Sequence, residues 1–127
     1  QEQEMALLFQ SFGFKHGVPF DTDYVFDVRC LPNPYWDVTL REFSGLDQPV
    51  RNFLEARPET EEMILSLSTF LETWIPRFES SNRSYLTVSI GCTGGQHRSV
   101  YVCDRLSQYF KDKYPNVQSR HIELPEA

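Results

Sequence analysis

The chain reads as an α/β fold, a layered sandwich in which helices pack on a mixed, partly parallel sheet. Two observations carry that reading. Helical and strand patterns alternate through the second half of the sequence, and the run Tyr85-Leu86-Thr87-Val88-Ser89-Ile90, alternating polar with apolar residues, leads through two glycines into an amphipathic stretch. A third observation bounds the size: 127 residues, 40% hydrophobic and 14% aromatic, suit one domain, residues 1–127, with an apolar core and no need of disulfides.

Taken in order, Met5 to Phe14 is apolar and ends in Gly13-Phe14-Lys15-His16-Gly17, a strand running into a glycine-flanked turn with Lys15 and His16 at its tip. Tyr24 to Arg29 is a second strand, rich in aromatic and β-branched residues, with Asp27 and Arg29 on one face as a structural pair or as ligand-facing groups. Pro32 and Pro34 forbid regular structure around Asn33, Tyr35 and Trp36, whose aromatics either wall a pocket or pin a surface loop. Asp47 is placed as the N-cap of a helix with Pro49 in its first turn, ending before Pro58. Thr60-Glu61-Glu62-Met63 opens a longer helix with Met63, Leu67, Leu71, Trp74 and Phe78 as its buried stripe, kinked or ended by Pro76. Ser80 to Arg83 is the loop into the Tyr85 strand. The helix after the glycines carries Val100, Cys103, Leu106 and Phe110 on one face; Pro115-Asn116 is a turn, Val117 to Ile122 a final strand, and Glu123 to Ala127 a polar tail.

Cys92-Thr93-Gly94-Gly95-Gln96-His97-Arg98-Ser99 is the candidate site. It joins a strand to a helix N-terminus, where unpaired amides and the helix dipole favour an anion, and His97 and Arg98 add donors. In an α/β sheet this loop falls at the carboxyl end of the strands, where ligands bind. Two functions fit. Cys92, five residues, Arg98 and Ser99 match the Cys-x5-Arg-Ser/Thr pattern of cysteine-dependent phosphatases, although Gly91 stands where the tyrosine phosphatases carry a His. The same loop also serves as a non-catalytic phosphate cradle, or as a tight turn with no ligand.

Composition narrows the field. Cys30, Cys92 and Cys103 have neither Cys-x-x-Cys spacing nor an even count, which suits reduced thiols in a cytoplasmic protein and indicates no metal site. No apolar run approaches the length of a membrane span, no secretory segment is visible, and no Gly-x4-Gly-Lys-Ser/Thr occurs. The first residue is Gln1, as expected of an excised domain. The net charge of −6 counts against a general nucleic-acid binder, yet residues 1–80 hold 6 Lys/Arg against 14 Asp/Glu, whereas residues 81–127 hold 6 against 4. The loop therefore lies in the basic part of the chain.

Several longer motifs carry a family resemblance. Ser11-Phe12-Gly13-Phe14-Lys15-His16-Gly17, Asp23 to Arg29, Leu31-Pro32-Asn33-Pro34, Ser44-Gly45-Leu46-Asp47 and Ile90 to Val100 resemble, in this order, the C-terminal domain of the RapZ/YvcJ family of RNase adapter proteins, over about Met5 to His121. The resemblance implies a domain like a sugar-phosphate-binding subdomain of phosphofructokinase, with no cofactor of its own. ATP or GTP belongs to an N-terminal P-loop domain absent from these residues. It implies an RNase adapter that binds small regulatory RNA and glucosamine-6-phosphate, presents the RNA to endoribonuclease E, regulates amino-sugar synthesis and assembles as a tetramer. Cys92 to Ser99 with Asp27, Arg29, Asn33 and Tyr35 are then expected to hold the sugar phosphate, and Lys15, His16, Arg29, Arg41, Arg98, Arg120 and His121 the RNA. The chain departs from the family pattern twice: Tyr35 replaces a pocket His, and the ending Glu123-Leu124-Pro125-Glu126-Ala127 replaces a Lys/Arg-rich tail.

Overall fold

The computed structural model describes residues 5–125, so the last two residues of the expected polar tail, Glu126 and Ala127, lie outside the described residues. Four strands, β1 (Ala6–Gly13), β2 (Tyr24–Asp27), β3 (Tyr85–Cys92) and β4 (Asn116–His121), form one sheet in the order β2-β3-β1-β4. The α/β sandwich is as the alternation of patterns requires. All three pairings are parallel, with Gly13 opposite Cys92 and Asp27 opposite Gly91, so the sheet is not mixed among the described residues. Parallel pairing needs a return to the starting edge between strands. Helices α1 (Gln48–Glu55) and α2 (Pro58–Ser80) make that return between β2 and β3, and α3 (Arg98–Lys111) makes it between β3 and β4. Between β1 and β2 the return is only residues 14–23, which include a 3-10 turn at Phe14–His16.

One face of the sheet makes the core. Leu7 and Phe9 of β1 and Leu86, Val88 and Ile90 of β3 pack against Val102, Cys103, Leu106 and Phe110 of α3, with Leu67, Leu71 and Ile75 of α2 beyond them. Phe9 stacks on Phe110 with ring centroids 5.7 Å apart. The four positions expected on the inner face of α3, Val100, Cys103, Leu106 and Phe110, are all fully buried. Burial pushes the Cys103 thiol up, so it stays protonated and serves as a small apolar side chain.

Helix boundaries follow their caps with three corrections. Asp47 is the N-cap of α1 by position, but its carboxylate accepts from the amide of Ser44 rather than from the helix. Pro58 takes the first turn of α2, two residues before the expected start, because a proline there sacrifices no intrahelical bond. Pro76 does not end the helix, which runs on to Ser80. The buried stripe of α2 is also turned from expectation: Ile64, Leu67, Leu71 and Ile75 are buried, whereas Trp74 is 39% exposed and Met63 and Phe78 only flank the core. Apolar residues lie on more than one face of this helix, and Phe70 and Phe78 pack edge-on against Tyr24 instead, so sequence periodicity alone had two faces to choose from.

Candidate anion-binding site

The carboxyl ends of four parallel strands meet along one edge, and the loop between β3 and α3 sits there. Its shape is set by close backbone approach. Gly95 has φ 77°, and a Cβ on it would lie 2.6 Å from the Gly13 amide nitrogen and 2.8 Å from the Phe12 carbonyl carbon. Gly13, at the end of β1, is pressed as tightly on Gly94 from the other side. The Gln96 side chain donates to the carbonyls of Arg41 and Phe43, both at 2.9 Å, while its own carbonyl accepts from Gly45 at 2.9 Å. With those carbonyls engaged outward, the amides of Gly94 to Ser99 have no acceptor among the described residues. They lie at the positive end of a 14-residue helix.

Side chains complete the cradle. Arg98 is 4% exposed and no carboxylate pairs with it among the described residues. Its Nη1 donates to the carbonyls of Arg29 at 2.7 Å and Leu31 at 3.0 Å, which ties the loop after β2 to the start of α3. Its Nε is buried without a partner, as is Nε2 of His97, itself 5% exposed. A buried guanidinium with free hydrogen-bonding capacity and no directly paired carboxylate is costly, and an anion against it would offset that cost. Cys92 is 2% exposed, and its Sγ donates to Ser99 Oγ at 3.1 Å.

A cavity of about 550 Å³ opens over these groups. From the loop it is lined by Cys92, Thr93, Gly94, Gln96, His97 and Arg98; Asn33, Tyr35 and Trp36 wall one side, Lys15 and His16 another. Trp36 is therefore a wall residue that remains 75% exposed rather than a buried anchor. Gly95 and Ser99 shape the loop from behind without lining the cavity. Asp27 and Arg29 lie outside the lining as well. They pair with each other at 2.7 and 2.9 Å, and the Arg29 guanidinium covers the Phe14 ring at 4.0 Å. That pairing holds the Asp27 carboxyl below its ordinary value.

The seven residues expected to contact RNA do not form one face. Lys15 and His16 stand exposed at the cavity rim, but Arg98 is buried, and Arg41 is bound to the Tyr35 carbonyl at 2.9 Å with its guanidinium over that ring. Arg120 and His121 are consecutive in a strand and so point to opposite faces of the sheet, Arg120 to Gln10 at 2.8 Å and His121 to Ser11 at 2.8 Å. One site residue escaped the sequence reading. Glu123, assigned to the polar tail, lines the cavity because β4 runs parallel to β1 and delivers the turn after it beside Gly13. Nothing local in the sequence signals this.

His97 and His121 are both held below the ordinary histidine value of 6.5, chiefly because burial penalises the charged ring. Below that value the unfolded chain binds more protons than the folded one, so stability is complete above about pH 6.5 and is lost as pH falls through the folded-state values. Urea unfolding is expected to show a lower midpoint at pH 5.5 than at 7.5, with a slope of at most about 1.4 kcal/mol per pH unit for each ring. His97→Gln should flatten that dependence. An unchanged midpoint across the window would contradict the burial argument.

Fold and site together define a class: a parallel α/β domain that gathers a strand-to-helix loop, a buried guanidinium and an aromatic wall around one cavity. The family model described as RapZ C-terminal domain matches residues 5–125, and the chain belongs to that family. A "Nucleotide-binding protein" of Marinobacter nauticus is 69% identical over 125 residues, covering 98% of this chain and 42% of that protein. The "RNase adapter protein RapZ" of Serratia proteamaculans is 57% identical over 124 residues, covering 98% of this chain and 44% of that protein. The chain thus spans less than half the length of these curated relatives. Among the described residues no helix is long and apolar enough to cross a membrane, and no group of three or more His, Cys, Asp or Glu side chains is placed to hold a metal ion.

Proposed function

We propose that this domain is the ligand-sensing and RNA-binding part of a cytoplasmic RNase adapter, and that its cavity binds a hexosamine phosphate such as glucosamine-6-phosphate. The observation that carries the reading is Arg98: buried, without a carboxylate partner among the described residues, and set beneath a row of amides lacking acceptors. A phosphate against Gly94 to Ser99 supplies both the missing charge and the missing acceptors. A cavity of about 550 Å³ has room for a hexose beyond the phosphate, and Tyr35 and Trp36 offer flat apolar surface to a sugar ring. The name that the Serratia proteamaculans relative carries, RNase adapter protein, supports an endoribonuclease as partner in the intact protein. The exposed side chains of Lys15 and His16 beside the cavity support its rim as the surface that meets RNA, and several domains acting together in an oligomer would raise a weak single-domain affinity.

The phosphatase alternative is less well supported. Cys92 lines the cavity but is only 2% exposed with its Sγ donating to Ser99, and Glu123, the one carboxylic acid of the lining among the described residues, has one oxygen held by the Gly13 amide. The expected result is binding without turnover. In an amide-resolved NMR titration with glucosamine-6-phosphate, Gly94 to Ser99 should shift most, and an aryl phosphate should stay intact. Shifts confined to other residues would overturn the ligand assignment, and hydrolysis abolished by Cys92→Ser would make the domain an enzyme.

A further inference from the structure

Helix α2 carries a second stripe beside its buried one. Glu59, Met63, Ser66, Phe70, Trp74 and Arg77 follow one another at intervals of three or four residues and so share one face of the helix. That face borders the edge of the sheet. Phe70 packs edge-on against Tyr24 and Phe26 of β2, at 5.3 and 5.7 Å between ring centroids, and Trp74 follows at 6.4 Å from Phe70. Both rings keep more than a third of their surface exposed, Phe70 at 37% and Trp74 at 39%. β2 is an outer strand bonded only to β3, and the main chain of Phe26 has no partner on its free side among the described residues. At the Glu59 end lies a cavity of about 280 Å³, lined by Cys30 and Leu31 from the chain after β2 and by Glu59, Glu62, Met63 and Ser66 from the helix.

Charges along this groove are segregated. Glu59 and Glu62 stand at one end and Arg77, over the Trp74 ring, at the other, and none of the three has an oppositely charged partner among the described residues. Glu59, in the first turn, steadies the helix dipole; Glu62 lies beyond that turn, where the dipole no longer accounts for it. We infer that the groove between α2 and β2 is a docking site for an extended segment of a partner protein, apolar at alternate positions, with a Lys or Arg at the end beside Glu59 and Glu62 and an Asp or Glu at the end beside Arg77. Added along β2, the segment pairs its main chain with the strand edge around Phe26 and turns every second side chain toward Phe70 and Trp74. From Glu59 to Arg77 the helix rises about 27 Å, the reach of about eight residues of strand, which sets the spacing of the two charges. The groove is separate from the cavity over Arg98 and owes nothing to the sugar-phosphate reading.

Selection from a random dodecapeptide display library on the immobilised chain tests this. Enriched peptides should alternate apolar residues and carry a basic and an acidic residue at opposite ends. A synthetic copy of one, titrated into the chain, should shift the amide signals of Phe26, Met63, Phe70 and Trp74 and leave those of Gly94 to Ser99 in place. Trp74→Ala should weaken that peptide at least about tenfold, as loss of a hot-spot ring does. Glu59→Gln combined with Glu62→Gln, both at exposed positions, should cost affinity only for peptides with the basic end, and added salt should act in the same direction. A purely structural stripe would enrich no such pattern, or leave affinity unchanged in both variants, and either result overturns the inference. Peptides that map to the cavity over Arg98 overturn it too, as does self-association of the chain lost in Trp74→Ala, which would make a second copy the occupant.

Discussion

Gly95→Ala is expected to cost about 2 to 5 kcal/mol of folding stability and to abolish anion binding. Alanine at φ 77° is strained by about 1 to 2 kcal/mol in its own right. The added Cβ would also lie under 3 Å from main-chain atoms of Gly13 and Phe12, and a strand at the centre of the sheet cannot withdraw without breaking its ladders to β3 and β4. Forcing that contact adds about 1 to 3 kcal/mol. Because the strain falls on the loop that presents the amides, ligand affinity should fail before the fold does. Thermal unfolding and calorimetry on one preparation check both parts. A variant within 0.5 kcal/mol of wild type, about the scatter of neutral surface changes, would show that the loop relaxes freely.

Arg98→Ala should also destabilise, by about 2 to 5 kcal/mol, even without ligand. From the sequence, Arg98 reads as a donor to an anion held in the loop. In the structure its Nη1 is committed to the carbonyls of Arg29 and Leu31, so truncation leaves two inward carbonyls without a donor, at about 1 to 3 kcal/mol each. Relief of an uncompensated buried charge offsets part of that loss. Arg98→Lys separates the two roles: it keeps the charge but cannot span both carbonyls while offering Nε to a ligand. The lysine variant should recover some ligand affinity and little stability. Equal recovery of both would mean that charge alone matters at this position.

The two variants show how far the sequence reaches into this protein. Local patterns sufficed wherever one element's chemistry stands alone. The alternation of Tyr85 to Ile90, the face of Val100, Cys103, Leu106 and Phe110, and the Gly94-Gly95 step before a helix each declare themselves within a single strand or turn, and they place the anion loop correctly at a strand's carboxyl end. The α2 stripe was misjudged because apolar residues spread over two faces of that helix, and only the position of Tyr24 and Phe26 decides which face the sheet covers.

Site residues divide in the same way. Family motifs and loop chemistry single out Cys92 to Ser99, Asn33 and Tyr35 in the chain itself, as residues of types that suit an anion and a ring. Whether Arg29 faces a ligand or Asp27, whether Arg120 and His121 share a surface, and whether Glu123 is tail or cavity wall depend on distances between segments up to 110 residues apart. Sequence periodicity carries the direction of a side chain relative to its own element. Strand order and parallel register bring Gly13, Cys92 and the turn after His121 to one edge, and those are set by packing the whole sheet against α2 and α3, which no local window contains.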